Sequence, residues 1–527
     1  MYYLASTFAK MRNLDLLTLS LVFSFGSRAI AHPSPNQAQE PRIPDPVSRP
    51  VSTIFASTGP TSSASYNSPY IPPSAAAAPV PHVVFFTQNA TAEEISAVNS
   101  TLNRDAAPDS LSEVTKRSTG LVVFFKATIS PSQADDIRRA PGVSGVFTDQ
   151  IPQQEQPPLP AVQLSAVQPS ASRDPSALGP RGSSKRSITN PTDVSLQTDA
   201  VRALKVVSQP PGAAYSDLAG YAYASEGGKG VTIYLMDTGA NIENPEWYRM
   251  PGSKSFIFTP GVRQTEDDGP DNHGSCVASK AGSPVHGTAK NANIVAVKMP
   301  NYFPFSAIMA GLIEISNDVY EKNLEGKAVI NMSFKNERFF LPGQEDIYMQ
   351  LLVALMMEDI VIVCASGNDA IQKGQDLTHY PSVFGYGTNL IVVGAVDNWG
   401  LRAFYSQGRP HQLTVSAPDW TICPKAGSPG SQKLIGTSFA APVVSGVIAV
   451  WLSQDQHKAR LQVKGKVAEN VKKMVKELAY PRMRGGPPVV WNGIDPRELG
   501  CPVKKPFCSC TNRICRGYKK VLKGFRG

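Results

Sequence analysis

The sequence lacks an apolar run long enough to cross a membrane. The first mainly apolar run, residues 14–26, contains Asp15 and several hydroxyl side chains. It is shorter than the roughly 18 residues that a membrane span requires. Lys10 and Arg12 precede this run, and the small residues of Ala29-Ile30-Ala31 follow it, which is the pattern of a secretory signal peptide. Residues 1–31 are therefore predicted to be a signal peptide, and the protein is expected to be secreted and extracellular, with no transmembrane segment.

Cysteine is also scarce. The chain has seven cysteines in 527 residues, and an odd number leaves at least one that is free or pairs between chains. Export permits disulfide bonds. Four cysteines lie in the last 27 residues, where they allow three pairings and where the lack of nearby histidine disfavours zinc: Cys501, Cys508, Cys510 and Cys515.

Most of the chain has no excess of positive or negative charge. The net charge is +9, but residues 501–527 hold eight Lys or Arg and no acidic residue, so 43 basic residues face 42 acidic ones elsewhere. This balance gives no reason to expect a nucleic-acid partner. The basic tail is interpreted as a solvated segment, and binding to anionic cell-wall or membrane polymers is the alternative.

Proline-rich stretches divide the rest of the chain. Residues 32–81 contain 12 prolines and residues 151–186 contain seven, the second stretch ending in Lys185-Arg186. Both are predicted to be linkers that bury little apolar surface. A small unit, residues 82–150, lies between them, and a large unit, residues 187–500, follows the second.

The small unit is predicted to be an α+β module with a ferredoxin-like order of elements. The runs HVVFFTQ, GLVVFFKA and VSGVFTD are typical of strands. Capping boxes, Thr91 with Glu94 and Ser130 with Gln133, predict helices at about residues 92–103 and 132–139. The sequons at Asn89 and Asn99 are expected to be glycosylated on its surface.

The large unit alternates unbroken apolar runs with helical patterns, which predicts an α/β domain with a mainly parallel sheet and helices on both faces. The predicted strands are 231–236, 294–299, 328–332, 360–364 and 390–395, and the predicted helices are 274–281, 307–322, 345–358 and 437–454. Functional residues are expected at the carboxyl ends of such strands.

Three side chains at predicted element boundaries can together perform nucleophilic catalysis. Asp237 ends the strand GVTIYLMD, His273 begins a helix, and Ser438 begins the apolar helix TSFAAPVVSGVIAVWL. A serine hydroxyl needs a base such as a neutral imidazole, and a buried carboxylate fixes the imidazole tautomer. Asn368, after the strand IVIVCAS, can donate a hydrogen bond to the oxyanion together with the Ser438 N–H.

The motifs DTG, NHG, INMS, SGN and GTSFAAP resemble those of subtilisin-like serine proteases, closest to the secreted proteinase-K-like type, over residues 199–452. The resemblance implies that Asp237, His273 and Ser438 form the triad and that Asn368 is the oxyanion donor. It also implies that residues 82–150 are a propeptide that assists folding and inhibits the zymogen. No cofactor is implied, although structural calcium is usual in the family.

Some residues depart from the family pattern. Phe439 and Val443 replace a methionine and a histidine, and Cys276 stands where the family often has histidine. We expect Cys276 to be a small buried residue; a free thiol near the triad, reactive with mercurials, is the alternative.

The segment that resembles the family's substrate wall departs more strongly, because Phe334, Lys335 and Asn336 stand where the family has glycines, and the cleft is expected to be narrower or to carry positive charge. Ser333, Phe334 and Lys335 are the candidate substrate-binding residues, and Lys335 is expected to be solvated rather than to set specificity. The sequon at Asn331 lies in a predicted buried strand and is expected to stay unmodified.

Two other functions remain to be compared with a peptidase. An exported subtilase-fold binding protein without turnover would explain the altered substrate wall. An esterase of the α/β-hydrolase type is disfavoured because that fold has its triad in the order Ser, Asp, His. The maturation cut is expected either near Gln150 or after Arg186.

Overall fold

The computed structural model describes residues 78–87, 89–149, 194–335, 343–424 and 430–495. The predicted signal peptide, both candidate maturation sites and the basic tail with its four cysteines lie outside the described residues, as do nearly all of the two predicted linkers. The first described strand begins at Val80, two residues before the predicted start of the small unit.

The small unit has the order β-α-β-β-α-β. Its elements are β1 (Val80–Phe86), α1 (Ala92–Asp105), β2 (Ser112–Lys116), β3 (Leu121–Ile129), α2 (Pro131–Arg138) and β4 (Val143–Thr148). The antiparallel sheet has the order β2-β3-β1-β4, which is ferredoxin-like. Both predicted capping boxes are present.

The large unit follows. Its described elements are β5 (Val194–Gln197), α3 (Arg202–Val207), β6 (Tyr221–Ala224), β7 (Thr232–Asp237), α4 (Pro245–Tyr248), β8 (Lys254–Phe258), α5 (His273–Gly282), β9 (Asn293–Lys298), α6 (Phe305–Lys322), β10 (Ala328–Met332), α7 (Gln344–Met357), β11 (Ile360–Ala365), α8 (Ala370–Lys373), β12 (Ile391–Val396), β13 (Val415–Pro418), β14 (Thr421–Pro424), β15 (Ser431–Leu434), α9 (Thr437–Leu452), α10 (Asp455–Leu461), α11 (Val467–Leu478), β16 (Tyr480–Pro481) and β17 (Pro488–Val489). The strand order in the main sheet is β16-β17-β13-β12-β11-β10-β7-β9-β8. Its pairings are parallel except the one between β16 and β17.

The central strands β7, β10, β11 and β12 are buried at every position because their side chains enter two cores. In β7, Ile233 and Leu235 face the core that contains α5 and α9, whereas Tyr234 and Met236 face the core that contains α6 and α7. Alternate side chains of a strand point to opposite faces of its sheet. The prediction of a parallel sheet with helices on both faces is confirmed.

The small unit packs on the second of these cores. One face of its sheet contributes Phe85, Phe124 and Phe147 to the core with α6 and α7, and the ring centroids of Phe85 and Phe305 are 5.8 Å apart. The opposite face packs against α1 and α2. The module therefore buries both faces of its sheet, one internally and one against the large unit.

Taken singly, none of the described helices is both long and apolar enough to cross a membrane. Helices α9 and α10 pass such a test only as a pair bent by 101°, and α9 lies in the core.

Candidate active site

Asp237 and His273 are held together at the carboxyl end of the main sheet. Asp237 is the last residue of β7, with 2% of its surface exposed, and His273 is the first residue of α5. The His273 Nδ1 lies 2.8 Å from Asp237 Oδ1. A glycine follows the histidine because a Cβ on Gly274 would lie 2.2 Å from the Gly239 carbonyl oxygen. The helix can thus approach the turn after β7 closely.

Ser438 occupies the first turn of the buried helix α9. The N-cap of α9 is Gly436, which has a φ of 153° and a ψ of 152°. This conformation is essentially restricted to glycine. Pro442 has no N–H to bond the Ser438 carbonyl four residues earlier, and the Ser333 hydroxyl donates to that carbonyl instead, at 2.7 Å.

A buried network fixes Ser333 in turn. Asn331 donates from Nδ2 to Ser333 Oγ at 2.9 Å and accepts from Ser445 Oγ at 3.0 Å. Asn331 is fully buried in β10, as the prediction that its sequon stays unmodified requires. The amide holds the end of β10 against α9.

Asn368 follows β11 and faces the same turn. Its Oδ1 accepts hydrogen bonds from the backbone N–H of Thr437 at 2.9 Å and from the Thr437 hydroxyl at 2.8 Å. Because the oxygen is occupied, the Nδ2 group is the donor that remains. A Cβ at Gly436 would lie 3.4 Å from that nitrogen.

These side chains line one cleft of about 280 Å³. Its wall includes His273, Asn368, Ser438, Phe439, and all three candidate substrate-binding residues, Ser333, Phe334 and Lys335. The structure therefore brings together around one cavity the candidate residues that the sequence analysis selected, with Asp237 behind His273.

The described part of the candidate substrate-binding segment packs against its neighbours, and Asn336 lies outside the described residues. Phe334 stacks on Phe303, with ring centroids 4.7 Å apart. Lys335 is ion-paired as well as partly exposed, since its Nζ donates to Asp369 Oδ2 at 2.7 Å while 22% of its side chain stays accessible to solvent. His379 Nε2 lies 2.9 Å from the same oxygen. Burial acts to raise the pKa of Asp369, but hydrogen bonds from His379 and Lys335 outweigh it and lower that pKa well below the usual range.

The environment of His273 favours its protonated form. Burial acts to lower the pKa of His273, but the charge and hydrogen bond of Asp237, with the charges of Asp267 and Asp271, outweigh it and raise that pKa. The imidazole is therefore a stronger base than a free one. Proton uptake from a hydroxyl in the cleft gains from this arrangement.

Cys276 is neither a free thiol nor a simple buried residue. It forms a disulfide with Cys423, 147 residues later, and both cysteines are almost fully buried. The hypothesis of a mercurial-reactive Cys276 thiol is therefore wrong. Among the described residues, the free cysteine is Cys364 in β11, and burial raises the pKa of its thiol.

Sequence reasoning missed a second carboxylate beside the Asp237–His273 pair. Asp267 is 7% exposed and hydrogen-bonds to Thr238 and Ser275. It lies in the run EDDGPDN, whose polarity is typical of a solvated loop, so composition carried no signal of its burial. In the structure, Asp267 differs from Glu266 and Asp268 on either side because its side chain is buried whereas theirs are exposed.

A parallel α/β sheet with an Asp–His pair and a helix-terminal serine around one cleft is the arrangement of triad-type serine hydrolases. The model of the subtilase family matches residues 228–485. Subtilisin-like protease 3 of Pseudogymnoascus destructans is 30% identical over 293 residues, which are 53% of this chain and 67% of that protein. The chain belongs to the subtilase family, whose members are serine-type endopeptidases.

Two further proteins are similar to this chain. Subtilisin-like protease 2 of Trichophyton rubrum is 27% identical over 292 residues, 55% of this chain and 65% of that protein. The matched part thus spans about two thirds of the length of these curated relatives. The crystal structure of a cold adapted subtilisin-like serine proteinase aligns with a TM-score of 0.45 and 21% identity, covering 56% of this chain and 100% of that chain.

Proposed function

We propose that the protein is a secreted serine endopeptidase that hydrolyses peptide bonds through an Asp237–His273–Ser438 triad. The observation that carries this proposal is the 2.8 Å contact between Asp237 Oδ1 and His273 Nδ1, made by a histidine that lines the same cleft as Ser438 and Asn368.

In the proposed reaction, Ser438 Oγ attacks the carbonyl carbon of the substrate and His273 takes the hydroxyl proton on Nε2. Asp237 holds Nδ1–H and stabilises the imidazolium that forms. The Asn368 Nδ2 group and the Ser438 N–H donate to the oxyanion. His273 then gives its proton to the leaving amine, and water, activated by the same imidazole, hydrolyses the acyl-enzyme.

No cofactor takes part in this scheme. The family resemblance implies structural calcium, but within the described ranges no group of three or more His, Cys, Asp or Glu side chains is arranged to hold a metal ion.

We also propose that the small unit is an inhibitory propeptide and that the protein is made as a zymogen. Support comes from the end of β4, where the buried Asp149 accepts hydrogen bonds from the Ser306 N–H at 3.1 Å and the Ser306 hydroxyl at 2.6 Å. Ser306 lies in the first turn of α6, whose N-terminus favours negative charge. Polypeptide substrates and this propeptide are thus the partners proposed for the cleft.

Secretion would expose the chain to glycosylation. Asn89 is exposed and Asn99 is half-buried on the small unit, so both sequons are accessible candidates. Binding of the basic tail to anionic polymers stays a prediction, and a truncated protein that ends at residue 500 yet keeps its retention on an anionic matrix would contradict it.

A fluorophosphonate probe tests the proposed chemistry. The processed protein should be labelled, and labelling should disappear in Ser438→Ala and His273→Ala variants that remain folded by circular dichroism. Processed wild-type protein that resists labelling would contradict the proposal and favour a binding protein without turnover. Mass spectrometry of the secreted amino terminus should show a cut near Gln150 or after Arg186.

A further inference from the structure

Asp267 is a buried carboxylate whose two oxygens are both occupied. Its Oδ1 accepts hydrogen bonds from Thr238 Oγ1 at 2.7 Å and from the Gly269 N–H at 3.2 Å. Its Oδ2 accepts from the Ser275 N–H at 2.7 Å and from the Ser275 hydroxyl at 2.6 Å. Burial raises the pKa of Asp267, and the hydrogen bonds from Ser275 and Thr238 oppose that rise because they favour the ionised form.

The donors to Asp267 flank both members of the Asp237–His273 pair. Thr238 is the residue after Asp237, and Ser275 is two residues after His273. The backbone N–H of Thr238 donates to Asp237 Oδ1 at 2.8 Å, the oxygen that also contacts His273. Asp267 therefore joins the turn after β7 to the first turn of α5.

The Thr238 hydroxyl completes this connection. It lies 2.7 Å from Asp267 and 3.2 Å from Asp237 Oδ1, so the closer carboxylate is the better acceptor for its single proton. Its oxygen accepts the Gly274 N–H at 3.1 Å. Without the charge of Asp267, the hydroxyl would be free to turn towards Asp237 and compete there with the imidazole.

The charges facing His273 come from a small set of groups. Asp237 approaches from β7, and Asp267 and Asp271 approach from the segment before α5. Asp268 in that segment pairs with Lys298. On the side of α9, the imidazole meets the Phe439 ring at a centroid distance of 5.4 Å. Asp267 is the buried member of this set besides Asp237.

We propose that Asp267 is a positioning residue of the active site, which fixes Thr238 and Ser275 and thereby sets the geometry and charge state of the Asp237–His273 pair. This inference rests on the proposed function and adds a residue that does not touch substrate. In addition to holding the two turns together, its negative charge stabilises the imidazolium form of His273. A purely structural residue would do only the former.

The pH dependence of kcat/KM on a peptide substrate separates the two roles. Loss of charge in Asp267→Asn should lower the pKa of His273 and move the acid limb of the profile to lower pH, because the neutral base then persists into more acidic solution. We also expect kcat to fall about tenfold or more from misplacement of the imidazole. Ser275→Ala is the matched control: it removes the hydroxyl that donates to Asp267 and accepts the Asn241 N–H, keeps the carboxylate and should leave the limb in place.

The outcomes distinguish this inference from the proposed function. Asp267→Asn that is labelled by fluorophosphonate but has an unmoved acid limb contradicts the inference alone, whereas unlabelled wild-type protein removes both. If Asp267→Asn does not fold, Asp267→Glu tests the inference by keeping the charge and disturbing the hydrogen bonds. It should lower kcat without moving the limb, and a limb displaced to lower pH in that variant would overturn the inference.

Discussion

Ser438 depends on a neighbour because its own helix cannot satisfy its carbonyl group. Pro442 lacks the N–H that would bond this oxygen, and Ser333 donates to it from the end of β10. Asn331 and Ser445 extend the connection back into α9. A residue of the substrate wall and the candidate nucleophile therefore share one rigid network, and a change at Ser333 reaches both.

Replacing Ser333 by alanine tests this link. Ser333→Ala leaves the Ser438 carbonyl and one Asn331 donor without partners, which should cost about 1–3 kcal/mol in the free energy of unfolding and lower kcat. Ser445→Ala breaks the same network at its far end and should cost similar stability with a smaller loss of kcat. Denaturant unfolding and steady-state kinetics measure both, and equal kcat values for the two variants would contradict the link.

Removal of the Asn368 amide should affect turnover more than binding. Asn368→Ala loses the proposed oxyanion donor, and kcat should fall about 100- to 1,000-fold, the effect known for such a donor in a subtilisin, while KM changes little. Thr437→Val, which removes a hydroxyl that bonds Asn368 Oδ1 but keeps the donor, is the control. A KM effect larger than the kcat effect in Asn368→Ala would assign the amide to ground-state binding.

Three of the candidate site residues stand near the end of an apolar run: Asp237 ends β7, Asn368 follows β11 by three residues, and Ser438 lies in the first turn of α9. With His273 at the start of α5, they could be selected because they occur together in this order at element boundaries. Asp267 and Asp369 could not be selected in this way. Their burial depends on partners from distant segments, such as Thr238 and Lys335, and local composition does not report such partners.

The disulfide ties two elements that approach the cleft from different parts of the chain. Cys276 lies one turn into α5 after His273, and Cys423 lies in β14, whose hairpin partner β15 leads into the turn before Ser438. The bond therefore joins the helix that begins with the imidazole to the segment that delivers the hydroxyl. Neither the pairing nor the hairpin could be predicted, since the cysteines are 147 residues apart.

Loss of this bond should destabilise the folded protein. We expect the double variant Cys276→Ala, Cys423→Ala to lose about 2–4 kcal/mol in the free energy of unfolding, measured by denaturant titration with and without a reductant. Reductant should lower the stability of the wild type but not that of the double variant. Cys364→Ala is the control that should keep the reductant effect, and a wild type indifferent to reductant under unfolding conditions would contradict the pairing.

Strands with continuous apolar runs and helices with apolar residues at helical spacing could be predicted from the sequence. Elements with few apolar residues could not. Strands β7, β9, β10, β11 and β12 and helices α5, α6, α7 and α9 lie within a few residues of the expected bounds. Strand β2, Ser112–Lys116, was not anticipated because Val114 is its single buried apolar residue. It forms because β3 offers an edge for pairing, and tertiary context of this kind overrides local propensity.

The small and large units meet through an apolar centre with charged groups around it. Arg117 of the small unit contacts Glu314 and Glu321 on α6, and Lys116 pairs with Glu358. Asp149 lies at the N-terminus of α6, and Lys126 contacts it at 2.8 Å. Asp149 thus places an acidic group at the N-terminus of α6, where the helix dipole favours negative charge, and Arg117 pairs with acidic side chains further along the same helix.

The capping contact of Asp149 predicts how firmly the small unit is held after cleavage. Helix α6 begins at Phe305 after Pro304, with no side-chain cap of its own, so Asp149→Asn removes a charge that α6 cannot replace. The change should cost about 1–2 kcal/mol of binding free energy, which corresponds to roughly tenfold weaker inhibition by the cleaved unit. The measurement is the rise of activity when the processed complex is diluted.

Asp135→Asn is the matched control. Asp135 pairs with Arg138 on the exposed side of α2, so this variant should leave inhibition unchanged. Asp149→Asn also removes the ion pair between Lys126 and Asp149, so salt separates the two contributions: a difference between the variants that disappears at high salt would assign the Asp149 effect to screened charge rather than to the cap.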